Sequence, residues 1–326
     1  MSWLVTGGAG YIGSHIVSAL IDAGLDPVVL DDLSTGHEDF VPSTVPFVRG
    51  SVLDGDLLLR TFEQHSVLGV IHVAGFKFAG VSVSEPLHTY RQNVTGTATV
   101  LAAMESADVS RIVFSSSAAV YGTPGGALVT EETPKSPESP YGESKLIGEW
   151  LLRDQGIARG LAHTSLRYFN VVGSGDGVLY DSSPHNLLPR VFRALLDGQT
   201  PLINGGDYET PDGTTVRDYI HVADVAAAHV AAAGRLEAGA AVEPAYNLGS
   251  GSGSSVGELM AEVADATGIP FTPEIGPRRP GDPATIVAGG DLAARDLDWS
   301  MRHTLGQMVS SQWKATRRAA QPSDRD

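Results

Sequence analysis

An α/β fold built on a doubly wound parallel sheet, followed by a smaller C-terminal α/β region, is what this 326-residue sequence predicts. Short β-branched runs alternate with longer helical patterns over residues 1–170, and a glycine-rich turn follows the first of those runs. The composition, 42% hydrophobic and 18% charged, excludes an intrinsically disordered chain and supplies enough apolar surface for a large core.

The strands are expected at Trp3 to Thr6, Pro27 to Leu30, Val45 to Val48, Val70 to Val73 and Ile112 to Ser115, then Ala162 to Phe169. A helix opens at about Tyr11, a second spans Pro86 to Ala107, and a third begins at Pro140, each carrying apolar residues at helical spacing. Beyond residue 170 the pattern loosens into Gly, Asp and Ser clusters at 173–183 and the loop Asn204 to Thr215. Residues 171–326 are therefore read as mainly a substrate-binding region, with a segment at about 216–236 returning to the first domain. Helices are expected there at Asn186 to Leu196, Val222 to Gly234, Val256 to Ala266 and Thr304 to Trp313, with strands near Val216 to Ile220 and Ala245 to Leu248. Arg317 to Asp326 is polar and expected to fray.

Gly7, Gly10 and Gly13 lie between the first strand and the first helix. That context lets the backbone approach a pyrophosphate and aims the positive helix end at it, the pattern of a Rossmann-type dinucleotide site. Asp31 and Asp32 end the second strand, where carboxylates accept from ribose hydroxyls and repel a 2′-phosphate, so NAD is expected rather than NADP. Tyr141 and Lys145 stand four apart on the helix opened by Ser139 and Pro140 and so share a face. An ammonium beside a phenol is expected to lower its pKa and make Tyr141 a proton acceptor. Ser115, Ser116 and Ser117 end the fifth strand, at the edge where such sheets bind ligands, and one of them can hold a substrate hydroxyl against Tyr141.

The glycine motif, Ser117 and Tyr141-x-x-x-Lys145 together resemble the extended short-chain dehydrogenase/reductase family, and the likeness runs from residue 2 to about 313. Within that family the segments Phe114 to Gly122, Leu166 to Asn170, Pro211 to Val222 and Pro277 to Asp282 are similar to those of sugar-nucleotide 4-epimerases. The resemblance implies catalysis by Ser117, Tyr141 and Lys145. It implies cofactor contacts from Tyr11, Ile12, Ser51, Val52 and Val73 beside the glycines and aspartates, and from Lys77, Asn93, Ser115 and Phe169 nearer the reacting end. It further implies that Asn170, Asn186, Leu187, Asn204, Arg217, Arg279 and Asp282 hold a UDP-sugar, with Ile286 bordering the sugar's 2-substituent.

Three departures bear on those contacts. Ser51 stands where relatives place an acidic residue, Asn204 where an aromatic stacks on uracil, and Ala119 where a threonine is usual. The implied activity is reversible 4-epimerisation of UDP-glucose and UDP-galactose through a transient 4-keto sugar, as in galactose metabolism. Its alternatives are epimerisation of UDP-N-acetylhexosamines, a 4,6-dehydratase, or a non-catalytic NAD-sensing regulator. The dehydratase is disfavoured because Ala118 and Ala119 stand where its Asp-Glu pair would be.

A formal charge of −16 disfavours nucleic acid and anionic membranes as partners. The absence of cysteine removes disulfides and thiolate chemistry, and the ten histidines form no helical zinc motif, so no metal is expected. With no basic leader and no run of 18 apolar residues, the chain reads as cytoplasmic. A homodimer is expected through the helices at about 86–107 and 141–155, where the first carries apolar residues on more than one face.

Overall fold

The computed structural model describes residues 1–126, 128–279 and 282–321. Seven parallel strands form the main sheet: β1 Ser2–Thr6, β2 Asp26–Asp31, β3 Phe47–Arg49, β4 Val67–His72, β5 Arg111–Ser117, β6 Ala162–Tyr168 and β7 Ala245–Leu248. Their spatial order is β7-β6-β5-β4-β1-β2-β3, so the order reverses beside β1, where a crevice opens at the carboxyl ends of the strands. β1 reads as a continuous buried run because helices cover both faces of the sheet.

One face buries Trp3, Val5, Ile16 and Leu20 against Val225, Ala228 and Ala232, which places the Val222–Glu237 helix beside the Tyr11–Asp22 helix. The other face buries Leu4, Val70, Val100 and Leu152 under helices Gly55–His65, Gly96–Ser106 and Pro140–Arg159. A third cluster, with Phe192, Leu259 and Trp313 at its centre, joins helices Leu187–Leu196, Val256–Thr267 and Leu305–Ala320 in the C-terminal region. The two regions interleave: a small sheet pairs Leu128–Val129 with Thr285–Ala288, and Asn170–Val172 pairs with Tyr219–His221. No described helix is long and apolar enough to cross a membrane.

Two local departures matter. The continuous helix expected over 86–107 is instead Pro86–Tyr90 and Gly96–Ser106 joined by a π turn at Arg91–Thr95. The extra residue in that turn carries Asn93 inward, where its amide pairs with both backbone groups of Phe76. The C-terminal helix runs on through Ala320, so the fraying expected from Arg317 does not begin there; its Thr304 and Gln307 form a reciprocal capping box. Residues 322–326, the rest of that expected tail, lie outside the described residues.

Candidate active site

Gly7 turns the chain after β1 with φ +73°, and a Cβ there would sit 2.7 Å from the Ala74 nitrogen. A Cβ on Gly13 would sit 2.0 Å from the Gly7 carbonyl oxygen, so both positions admit only glycine. Gly10 caps the Tyr11–Asp22 helix without any side-chain bond, leaving first-turn N–H groups facing the crevice. Asp31 accepts from Ala9 N at 3.0 Å and from Leu33 N at 2.8 Å. Burial raises its carboxyl pKa despite those bonds. Asp31 ties β2 to the glycine turn and keeps acceptor capacity towards the crevice, which Asp32 also lines. A cradle from which side chains are sterically excluded, an uncapped helix end and two carboxylates at the second strand fit NAD.

The crevice continues into one cleft of about 740 Å³. Beyond the glycine turn it is lined by Val52, Val73, Lys77, Tyr141, Lys145 and Phe169, and then by Asn170, Asn186, Leu187, Asn204, Arg217, Arg279 and Asp282. Ser139 Oγ accepts from Gly142 N and Pro140 occupies the first turn, fixing the start of the helix that carries Tyr141 and Lys145.

The expected depression of the Tyr141 pKa is absent. Burial pushes the phenol up, with only the Ser117 hydroxyl opposing it. Lys145 Nζ lies 6.0 Å from the Tyr141 ring centre and donates instead to the Ser115 carbonyl at 2.8 Å. Burial pulls Lys145 down to about 8, with Glu149 acting against that change. Desolvation of both groups outweighs the charge effect their spacing suggests.

Five expected site residues are not among the described residues that line the cleft: Ser51, Asn93, Ser115, Ser117 and Ile286. Ser51 accepts from Leu53 N, while its neighbours Gly50 and Val52 face the cleft. Asn93 spends its amide on Phe76 and on Ser144 Oγ, so it shapes the loop beside Lys77. Ser115 turns its hydroxyl to His229 Nε2 at 2.9 Å and reaches the site through its carbonyl. Ser117 accepts from Ala119 N and sets its hydroxyl against the Tyr141 phenol. Ile286 pairs in register with Arg217 in the small sheet.

At the far end Arg217 forms an ion pair with Asp282 at 2.5 Å. With its amide turned so that the oxygen faces the guanidinium, Asn204 accepts from Arg279 Nε and Nη2 at 3.3 and 3.1 Å. Asn186 leaves the Leu187–Leu196 helix without a side-chain cap, because its amide donates to Asp181 at 2.6 Å. A second uncapped helix end therefore faces the cleft.

Sequence reasoning missed an aromatic row along one wall. Phe76 packs edge-on against His88 at 5.0 Å, and Phe78 packs against His185 at 4.8 Å, joining the two regions across the cleft. These rings come from three separated segments, so no spacing announced them.

The model of the NAD dependent epimerase/dehydratase family matches residues 3–249. A UDP-glucose 4-epimerase of Azospirillum brasilense is 44% identical over 304 residues, which cover 92% of this chain and 87% of the relative. The crystal structure of UDP-glucose 4-epimerase from Brucella ovis in complex with NAD superposes with a TM-score of 0.93 at 39% identity, covering 97% of this chain and 98% of that one. The UDP-glucose 4-epimerase from Bifidobacterium longum in complex with NAD+ and UDP gives a TM-score of 0.88 at 37% identity, with 98% of each chain covered.

Proposed function

Since the chain belongs to the NAD dependent epimerase/dehydratase family, we propose that its cleft interconverts UDP-glucose and UDP-galactose by reversible inversion at the sugar C4. The chain is an isomerase, and NAD is its cofactor. The observation that carries the reading is continuity: one cleft joins the uncapped helix end at Gly10 to Tyr141 and Lys145, and then to Arg217, Arg279 and Asp282.

Gly7, Gly10, Gly13, Asp31 and Asp32 hold the adenosine and pyrophosphate of the cofactor, and Lys77 and Phe169 line its reacting end. When bound, NAD supplies a hydride acceptor at C4 that gives the hydride back. Tyr141 takes the 4-hydroxyl proton as the C4 carbonyl forms and returns it after the keto sugar has turned its other face. Lys145, held at the Ser115 carbonyl, brings a positive charge to the cleft beside Tyr141 that would offset part of what burial costs the phenolate. Arg217 and Arg279 meet the diphosphate, reinforced by the free N–H groups at Leu187. Ala118 and Ala119 follow Ser117 and bring neither acid nor base, so elimination of water is not served.

The second copy of the chain packs, on this reading, through the helices at 86–107 and 140–159. Leu87, Trp150 and Ile157 are exposed there, on a surface that a homodimer would cover. Light scattering reads the dimer, and a monomer mass at micromolar concentration overturns it.

The activity is tested by incubating purified protein with UDP-galactose, without added NAD, and separating products by anion exchange. UDP-glucose appears, and denaturation releases NAD. An empty protein that consumes external NAD stoichiometrically would be a dehydrogenase instead.

A further inference from the structure

The three consecutive serines at the end of β5 engage three different partners. The Ser115 carbonyl receives the Lys145 ammonium, and Ser117 touches Tyr141. Between them Ser116 turns to the opposite side and donates to Glu149 Oε1 at 2.6 Å. Glu149 lies one helical turn beyond Lys145, and its carboxylate meets Arg167 in a fork: Nε donates to Oε1 at 2.8 Å and Nη2 to Oε2 at 2.6 Å. Both side chains are buried, at 10% and 6% exposure. Arg167 Nη1 donates in turn to the Tyr121 hydroxyl, which donates to Asn247 on β7. Glu149, Arg167 and Ser116 do not line the cleft, so the reaction chemistry described above leaves this buried ion pair unused.

An unpaired carboxylate at this depth would be strongly destabilising, and even a paired one gains little over apolar packing. Its position nevertheless bears on the reaction. Glu149 pins the middle residue of a tripeptide whose two outer residues position Lys145 and Tyr141. It is also the carboxylate whose charge holds up the Lys145 pKa. The other ionisable groups about Lys145 are Tyr141 on its own helix and His72 on β4; Tyr168 on β6 faces Tyr141, while Arg167 on β6 and Lys135 and Glu131 on the loop lie on the Glu149 side. His72 is held neutral by burial, with a pKa of about 3, so Glu149 is the charge that acts on Lys145.

We propose that Glu149, forked to Arg167 and bonded by Ser116, is a positioning residue of the reaction that fixes the carboxyl end of β5 and places a buried anion one turn from Lys145. The proposal rests on reading Tyr141 as the proton acceptor and Lys145 as its cationic neighbour. If activity needs the Lys145 ammonium, the alkaline limb of the rate profile follows that group. Removing Glu149 withdraws the charge that raises it, so the limb moves to lower pH.

The experiment uses the NAD-loaded enzyme and UDP-galactose. In Glu149→Gln, kcat should fall about tenfold with KM little changed, as expected when a charged partner is lost outside the substrate contacts. The alkaline limb should move down by about one pH unit. Glu149→Asp should restore the position of the limb and part of kcat. The double variant Glu149→Leu/Arg167→Met removes both charges together, avoids an unpaired buried ion, and should show the same lowered limb. Ser116→Ala leaves the ion pair intact, so it folds even if the others do not; it should lower kcat about threefold without moving KM. An unmoved limb in whichever Glu149 variant folds, or wild-type kcat in Ser116→Ala, overturns the proposal. Absence of epimerisation in the wild type would instead overturn the reading beneath it.

Discussion

The two ends of the cleft are built of different materials. At the glycine end the donors are backbone N–H groups at a helix terminus, exposed because Gly7 and Gly13 exclude side chains. At the arginine end they are side chains from Asn170, Asn186, Arg217 and Arg279, with Asp282 as an acceptor among them, and the arginines already pair with neighbouring residues. A backbone site tolerates no added atom, whereas a side-chain site can lose one member and keep its shape.

The largest expected effect follows from that asymmetry. Gly13→Val drives a side chain into the Gly7 carbonyl, and the purified variant should release less than about a tenth of the wild-type NAD on denaturation. Wild-type NAD content would show that the backbone end tolerates added atoms after all. Tyr141→Phe keeps both ends intact and should lower turnover by about 10²-fold or more, with NAD retained. Near-normal turnover would remove the phenol from the reaction. Arg217→Ala should raise KM about tenfold while kcat changes little, because one charged donor of several is lost. A fall in kcat with unchanged KM would place Arg217 in the chemical step.

The same contrast explains what the sequence disclosed. The glycine turn, the aspartates after β2 and the Tyr141–Lys145 pair are each set by short-range spacing, so one strand, one turn and one helix sufficed to locate them. Most of the strand alternation was legible for the same reason, since β1, β4 and β5 each contain a short apolar run. The Gly55–His65 helix was not anticipated, although Asp54 caps it from the side chain. Long-range contacts were the harder part. Asn93 shapes a loop because a π turn swings it inward, and Ser115 turns to a histidine on a helix more than one hundred residues away. The sugar-nucleotide end was located through family likeness, because its residues converge from separated loops. Ile286, also named through likeness, pairs with the cleft residue Arg217 from the adjoining strand.

Acid should act where the two halves meet. Burial lowers His72 to about 3 and His221 and His229 to about 4, from an ordinary value of 6.5. His229 hydrogen-bonds to Ser115 from the Val222–Glu237 helix, and His221 to Ser311 from the C-terminal helix. Their folded pKa values lie below the unfolded one, so the stability they confer is complete above 6.5 and is lost as pH falls towards 4. Asp31 and Asp218, raised by burial, act in the opposite sense at lower pH, so the upper part of that window is the informative one. Thermal unfolding should show Tm falling from about pH 6.5 to about pH 5, and a level Tm there would count against neutral buried imidazoles. The smallest expected effect is at Ile286. Ile286→Tyr should leave the ratio of rates on UDP-galactose and UDP-N-acetylgalactosamine within about twofold of wild type, as suits a partly buried side chain away from the wall. A selective loss of the acetylated sugar would bring that residue back into the pocket.

The interleaving of the two halves also governs how the protein can be made. β6 ends at Tyr168, but the strand that covers its outer edge, β7, begins at Ala245. While the ribosome synthesises the intervening segment, a nascent chain that has already assembled six strands carries β6 as an open, hydrogen-bonding edge. The helix that completes one face of the sheet arrives only with Val222–Glu237. Premature termination anywhere before Leu248 therefore yields a species with an unsealed sheet, and such fragments are matter for chaperones and proteases.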